Sequence, residues 1–225
     1  MPLDALAARR VYDRIGRFQD TQRFYEDPAV HRIVELGNFE RSESVFELGC
    51  GTGRLAANLL DSALPSSARY VAVDVSPVMV GIASQRLSAW ADRATVKMLE
   101  VPALSLPGDD GGFDRFVATY VFDLLSPEHA RALMDEAARL VAPGGLVALV
   151  SLGEGTTTGS RIVCSVWNAI ALRWPSLLGG CRSIELDDLV AGAEWNVRHV
   201  EGVVRFGVPS EVLVAERCGP TARSF

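Results

Sequence analysis

Residues 45–53 run Val-Phe-Glu-Leu-Gly-Cys-Gly-Thr-Gly, an apolar strand holding Glu47 that breaks into a turn made of Gly49, Cys50, Gly51, Thr52 and Gly53. A second apolar run, Tyr70-Val71-Ala72-Val73, ends in Asp74, twenty-one residues past the last of those glycines. Glycine reaches φ values that other residues tolerate poorly, so the turn is expected to fold tightly and bring its N–H groups against a ligand. An acid at the end of the next strand accepts hydrogen bonds from both hydroxyls of a ribose. Together they describe a crevice for a nucleoside. Two ligands remain open, because Gly51-Thr52-Gly53-Arg54-Leu55-Ala56 also fits the G-x-G-x-x-A dinucleotide fingerprint. Glu47 weighs against that second reading, since a carboxylate and a pyrophosphate would meet in a crevice of low dielectric.

The elements that must position these residues follow from periodicity and punctuation. Apolar residues at helical spacing, Leu3, Leu6, Val11, Ile15 and Phe18, predict an N-terminal amphipathic helix ending near Gly16. An aromatic and polar segment with Tyr12, Phe18, Tyr25 and His31 precedes the first strand. Arg54 to Leu60 continues the glycine turn as a helix. Ser76-Pro77 and Ser126-Pro127 each start a helix, with serine as N-cap and proline at the first helical position. Further strands are expected at Val96 to Leu99, Phe113 to Thr119, Leu146 to Val150, Val197 to Val204 and Glu211 to Ala215. A Pro143-Gly144-Gly145 turn leads into the Leu146 strand, and a short helix is expected near Asp187 to Ala191. Near-continuous apolar strands alternating with helices argue for a mostly parallel sheet covered on both faces.

Composition bounds the function. A chain of 225 residues suits one α/β domain. No apolar run approaches the roughly 20 residues of a bilayer span, and charges throughout residues 4–14 exclude a signal peptide, so a cytoplasmic protein without a membrane partner is expected. A net charge of −6 with no basic block longer than Arg9-Arg10 disfavours nucleic acid and favours a small-molecule substrate. The four cysteines, Cys50, Cys164, Cys181 and Cys218, have neither C-x-x-C spacing nor a histidine companion, so no metal site is expected.

The E-x-G-x-G-x-G run, the Phe113-Asp114 strand start and the Pro-Gly-Gly turn resemble the class I S-adenosylmethionine-dependent methyltransferases. The likeness is greatest to small-molecule enzymes of the ubiquinone and menaquinone biosynthesis type, and is strongest over residues 45–151. It implies a Rossmann-like, seven-stranded, mostly parallel sheet with an antiparallel last strand, helices on both faces and an N-terminal helical lid. The implied division is a lid over 1–40, a cofactor core over 41–151, and a substrate insertion with closing hairpin over 152–225, in one domain. S-adenosyl-L-methionine is the implied cofactor, with Glu47, Gly49, Cys50, Gly51, Gly53, Asp74, Val75, Met79, Ala103 and Thr119 as its contacts. Where many relatives carry an aspartate for the adenine amino group, this chain has Val101-Pro102-Ala103. The backbone N–H of Ala103 and the side chain of Glu100 are the remaining adenine partners.

Methyl transfer from a sulfonium is an in-line displacement. Positioning supplies about 7–11 kcal/mol of the barrier and a single base about 3–5, so an obvious base is not required. Of the three histidines, His129 falls in the first turn of a helix, His199 lies mid-strand, and His31 alone follows the lid segment toward the site. Ligands of open α/β sheets bind beyond the carboxyl ends of strands, which makes Tyr120 a catalytic candidate after the fourth strand. Asp123 is a second, to orient or deprotonate the substrate, with helix capping or solvent exposure as its alternative. Tyr12, Phe18, Tyr25, Arg161, Trp167 and Arg182 are the substrate-binding candidates: aromatic walls with one or two arginines suit a small carboxylate or phosphate. The alternative is that the tryptophans are core and the arginines solvated. A monomer or homodimer is expected. The rival functions are an NAD(P)-dependent oxidoreductase and a module that binds the cofactor without transferring a methyl group.

Overall fold

The computed structural model describes residues 23–100, 105–153, 183–192 and 194–219. Its strands are β1 (Ser44–Leu48), β2 (Arg69–Asp74), β3 (Ala94–Met98), β4 (Phe113–Thr119), β5 (Val141–Leu152), β6 (Trp195–Arg205) and β7 (Val208–Arg217). They make one seven-stranded sheet in the order β3-β2-β1-β4-β5-β7-β6. β1 to β5 pair in parallel, and β7 runs antiparallel between β5 and β6. The expected sheet and its antiparallel last strand are therefore present. Strand order reverses between β1 and β4, and a crevice opens beyond the strand ends at such a point.

The helices are α1 (Arg23–Leu36), α2 (Arg54–Asn58), α3 (Pro77–Arg86) and α4 (Pro127–Leu140). Alternate residues of each central strand face two cores. Phe46, Phe116, Val147, Leu149 and Leu213 pack on one face against Leu133, Met134 and Ala137 of α4. Val45, Tyr70, Val117, Val150 and Val212 pack on the other against Ile33 of α1, Leu59, and Ala83 of α3. Phe46 and Phe116 stack at 5.6 Å. Both serine caps form as expected: Ser76 accepts from Met79 N and Ser126 from His129 N.

Three features depart from the sequence reading. A 14-residue helix, α1, occupies the later part of the segment expected to be a helical lid, and runs through Pro28, although a proline within a helical run ordinarily breaks it. The Pro-Gly-Gly segment is not a turn before β5 but part of that strand, which begins at Val141. Gly144 takes a φ of 81° there, and the register with β4 shifts between Phe113 and Arg115. The helix after the glycine turn passes after five residues into a wider π-turn over Leu59–Ala63. The helix expected to end near Gly16 lies outside the described residues.

Two polar clusters fix the near end of the sheet to α1. Asp114 accepts from Ser42 Oγ at 2.5 Å, Glu43 N at 2.6 Å and Ser44 N at 3.2 Å, which locks the entry to β1. Buried Arg115 donates to the carbonyls of Gly37 and Asn38, just beyond α1, at 2.6 and 2.9 Å. The phenylalanine-aspartate start of β4 is thus structural: it carries the anchors that set where α1 lies.

Candidate cofactor site

Beyond the carboxyl ends of β1 and β4 is a cavity of about 450 Å³, lined by Glu47, Gly49, Cys50, Gly51 and Thr52 from the β1 turn and by Arg54, Leu55 and Asn58 from α2. Thr119 and Tyr120 line it from the end of β4, and Glu26, Asp27, Val30 and His31 from α1. The spacing of those four α1 residues, i, i+1, i+4 and i+5, is one face of a helix. The lid segment therefore contributes a helical face to the cavity while also packing on the sheet through Ala29 and Ile33. That periodicity is the signal by which Glu26, Asp27 and Val30 could have been found.

The glycine turn does not work as expected. Gly49 N and Cys50 N both donate to Val73 O, at 2.8 and 3.0 Å, and Gly53 N donates to Cys50 O at 2.8 Å. Gly51 N donates to Asp74 Oδ2 at 2.9 Å. Three of these N–H groups hold the turn against the end of β2 and the fourth closes the turn on itself, so all four are paired within the chain. The glycines are needed for shape. Gly49, Gly51 and Gly53 have φ values of 71°, 51° and 74°. A Cβ on Gly49 would lie 2.4 Å from Val121 Cγ2, and one on Gly53 would lie 3.0 Å from Ala83 Cβ of α3.

Asp74 is buried, and its other oxygen accepts from Ser76 N at 2.9 Å. A carboxylate has about four acceptor sites, so this residue ties the turn to the start of α3 through two of them. Glu47 is 2% exposed, and Tyr70 donates to its Oε2 at 3.0 Å. Burial raises the Glu47 pKa to about 8, with the nearby Asp74 charge adding to the rise and the Tyr70 hydrogen bond opposing it. A cationic ligand placed beside this carboxyl would favour its ionised form. Burial, and then the charges of Glu47 and Asp74, push the Cys50 thiol well above its ordinary range, so it is an inert wall.

The remaining sequence candidates separate clearly. Glu47, Gly49, Cys50, Gly51, Thr119, Tyr120 and His31 come together in the cavity. Gly53 and Asp74 are not among the residues that line it, and Asp74 adjoins it through the bond from Gly51 N. Met79 is fully buried at the start of α3, and Val75 packs against the core. Asp123 is not brought to the cavity. Tyr120 takes a φ of 55°, the chain turns there, and the short 3-10 segment Phe122–Leu124 carries Asp123 into the interior at 0% exposure. Its side chain is neither in solvent nor among the cavity-lining groups. Ala103, Tyr12, Phe18, Arg161, Trp167 and Arg182 lie outside the described residues, as does the side chain of Tyr25. Among the described residues no cluster fit to hold a metal ion occurs, and no helix is long and apolar enough to cross a membrane.

Arg54 ties the cavity walls together: it pairs with Asp27 and lies 3.9 Å from Glu26. At the far end of α1, Arg32 donates to Glu201 of β6 at 2.5 Å. Neither arginine was a sequence candidate, since nothing local relates them to partners 27 and 169 positions away.

Residues 45–145 match the family model described as a methyltransferase domain. The chain is 36% identical over 114 residues to a demethylmenaquinone methyltransferase of Thermus thermophilus, covering 51% of this chain and 49% of that protein. It is 24% identical over 128 residues to a carboxy-S-adenosyl-L-methionine synthase of Photorhabdus laumondii, covering 54% and 50%. The chain thus spans about half the length of these curated relatives. Among solved structures, the cyclase SpnF aligns over 97% of this chain and 98% of its own, with a TM-score of 0.74 at 17% identity. The N-methyltransferase NodS of Bradyrhizobium japonicum, solved with S-adenosyl-L-homocysteine, aligns over 85% and 87%, with a TM-score of 0.63 at 17% identity. These structural likenesses concern the fold.

Proposed function

We propose that this chain, whose residues 45–145 match a methyltransferase-domain model, is a class I S-adenosylmethionine-dependent enzyme that transfers a methyl group from S-adenosyl-L-methionine to an O, N, S or C atom of a small molecule. The observation that carries the cofactor reading is the paired state of the turn. Its four bonded N–H groups and the carboxyl of Glu47 leave a poor cradle for a pyrophosphate, which wants N–H donors and no nearby acid. The same surroundings suit a ligand with cationic groups. This argues against the NAD(P)-dependent oxidoreductase.

In this reading Glu47 faces the cationic methionine end of the cofactor and Asp74 holds the ribose. When bound, the cofactor supplies an electrophilic methyl group on a sulfonium. The chain's own residues bind, orient and exclude water. The Gly49–Thr52 turn, with no Cβ at Gly49 or Gly51, allows close approach. Thr119 and Tyr120 border the methyl and the acceptor, and α1 covers both. His31 is the group of α1 available to take the acceptor proton; positioning carries most of the rate.

The relatives named for demethylmenaquinone motivate quinol-like and phenolic acceptors as the first panel. The experiment is parallel calorimetric titration with S-adenosylmethionine, S-adenosylhomocysteine and NADH, followed by assay of S-adenosylhomocysteine release over that panel. Micromolar binding of the first two, with none of NADH, is expected. Binding of NADH alone overturns the cofactor, and cofactor binding without transfer to any acceptor favours the non-transferring module.

A further inference from the structure

Among the described residues that line the cavity, Arg54 is the one arginine or lysine, and the acids are Glu26, Asp27 and Glu47. Arg54 opens α2 directly after the glycine turn, and its partners are on α1. Its Nη1 donates to Asp27 Oδ1, and its Nη2 lies 3.9 Å from Glu26 Oε2. The guanidinium therefore ties α1 to α2 beside the cavity that both helices line. The tie is exchangeable. The side chains of Arg54 and Asp27 are 33% and 35% exposed, and a pair so open to water gains little from its attraction.

The methionine end of S-adenosylmethionine carries a carboxylate as well as its cationic groups. Glu47 answers the cationic part. The carboxylate needs donors, and the N–H groups of Gly49, Cys50, Gly51 and Gly53 are all paired within the chain. A carboxylate taken out of water without a partner is strongly disfavoured. A guanidinium offers it two parallel N–H groups and a full charge. Resting on the methyltransferase reading above, we propose that Arg54 exchanges Asp27 for the carboxylate of the cofactor's methionine moiety, which couples cofactor binding to the hold on α1. Arg54 is then a cofactor-binding residue, and Asp27 competes with the cofactor for it. Glu26 and Asp27 share a face of α1 with Val30 and His31. Releasing the tie lets that face settle over the acceptor after the cofactor has entered. The coupling is reciprocal: the pair with Asp27 weakens cofactor binding, and the cofactor loosens the pair by the same factor.

The test is calorimetric titration of the full chain with S-adenosylhomocysteine and with its decarboxylated analogue, which keeps the amine and lacks the carboxylate. The wild type should bind S-adenosylhomocysteine about tenfold more tightly, the weight of a hydrogen bond to a charged group. Arg54→Gln should remove that preference by weakening S-adenosylhomocysteine alone, and Arg54→Lys should restore part of it. Asp27→Asn should tighten S-adenosylhomocysteine about two- to threefold, the worth of a partly exposed ion pair, without tightening the analogue. In the Arg54→Gln background that gain should vanish, since the double-variant cycle isolates the exchange. Equal wild-type affinity for the two ligands overturns the proposal without needing any variant to fold. So does an Asp27→Asn gain that survives in Arg54→Gln or is shared by the analogue. Failure of the wild type to bind either ligand removes the methyltransferase reading itself, before any variant is made.

Discussion

The two ends of the cavity are built by opposite means. At the cofactor end, Glu47, the glycine turn and Asp74 lie within 28 consecutive residues, and backbone N–H groups of the turn bond to the end of the neighbouring strand. At the proposed acceptor end, His31, Tyr120 and its partner Ser210 come from a helix before the sheet, a loop after β4 and the start of an antiparallel strand. Side chains make that end, as in the contact of Tyr120 with Ser210. Backbone geometry makes one end hard to alter. Side-chain pairs make the other replaceable, which is where one fold acquires different substrates.

That contrast can be broken by small changes at the cofactor end. Gly49→Ala forces a side chain into the left-handed region and against Val121. It should cost about 2–4 kcal/mol by denaturant unfolding and remove cofactor binding. A variant of native stability would show the turn to be as tolerant as the acceptor end. Asp74→Ala should weaken S-adenosylhomocysteine binding at least about tenfold, about 1.4 kcal/mol, by calorimetry. Unchanged affinity would reduce Asp74 to a support for the turn.

Glu47 sharpens the comparison through pH. Its carboxyl titrates near 8 in the folded protein against an ordinary 4.5, so the folded state holds a proton that the unfolded chain has lost. The stability this contributes is complete below about pH 4.5 and declines until about pH 8. Glu47→Gln lacks the effect, so the wild-type Tm minus the variant Tm should fall steadily from pH 5 to pH 8; a constant difference would contradict it. A cationic ligand needs the ionised form, so binding at pH 7 should release a proton, detected as a binding enthalpy that differs between phosphate and Tris buffers. The smallest effect on stability is expected at Arg54→Gln. Its pair with Asp27 is partly exposed, so stability should change by less than about 1 kcal/mol, and thermal unfolding would resolve a larger role in holding α1.

How much could be foreseen follows the same division. The β4 boundaries and both serine caps came from local rules: apolar patterning and capping chemistry. The use of the turn's N–H groups was misjudged, because whether a donor faces a ligand or the neighbouring strand depends on how β1 and β2 register. The burial of Asp123, in the 3-10 segment that follows the positive φ of Tyr120, was not foreseen, since tyrosine gives no warning of such a φ. Phe113-Asp114 was recognised as a signature without its role as the clamp on β1 being visible.

The sequence by itself determined the alternating architecture and the acidic residues on β1 and β2, since each rests on residues near in the chain. Only the tertiary structure decided that the turn is bonded to itself, that Glu47 is buried enough to hold a proton, and that Ser210 meets Tyr120. Those outcomes depend on desolvation and on contacts between segments up to 90 residues apart, which no local pattern encodes.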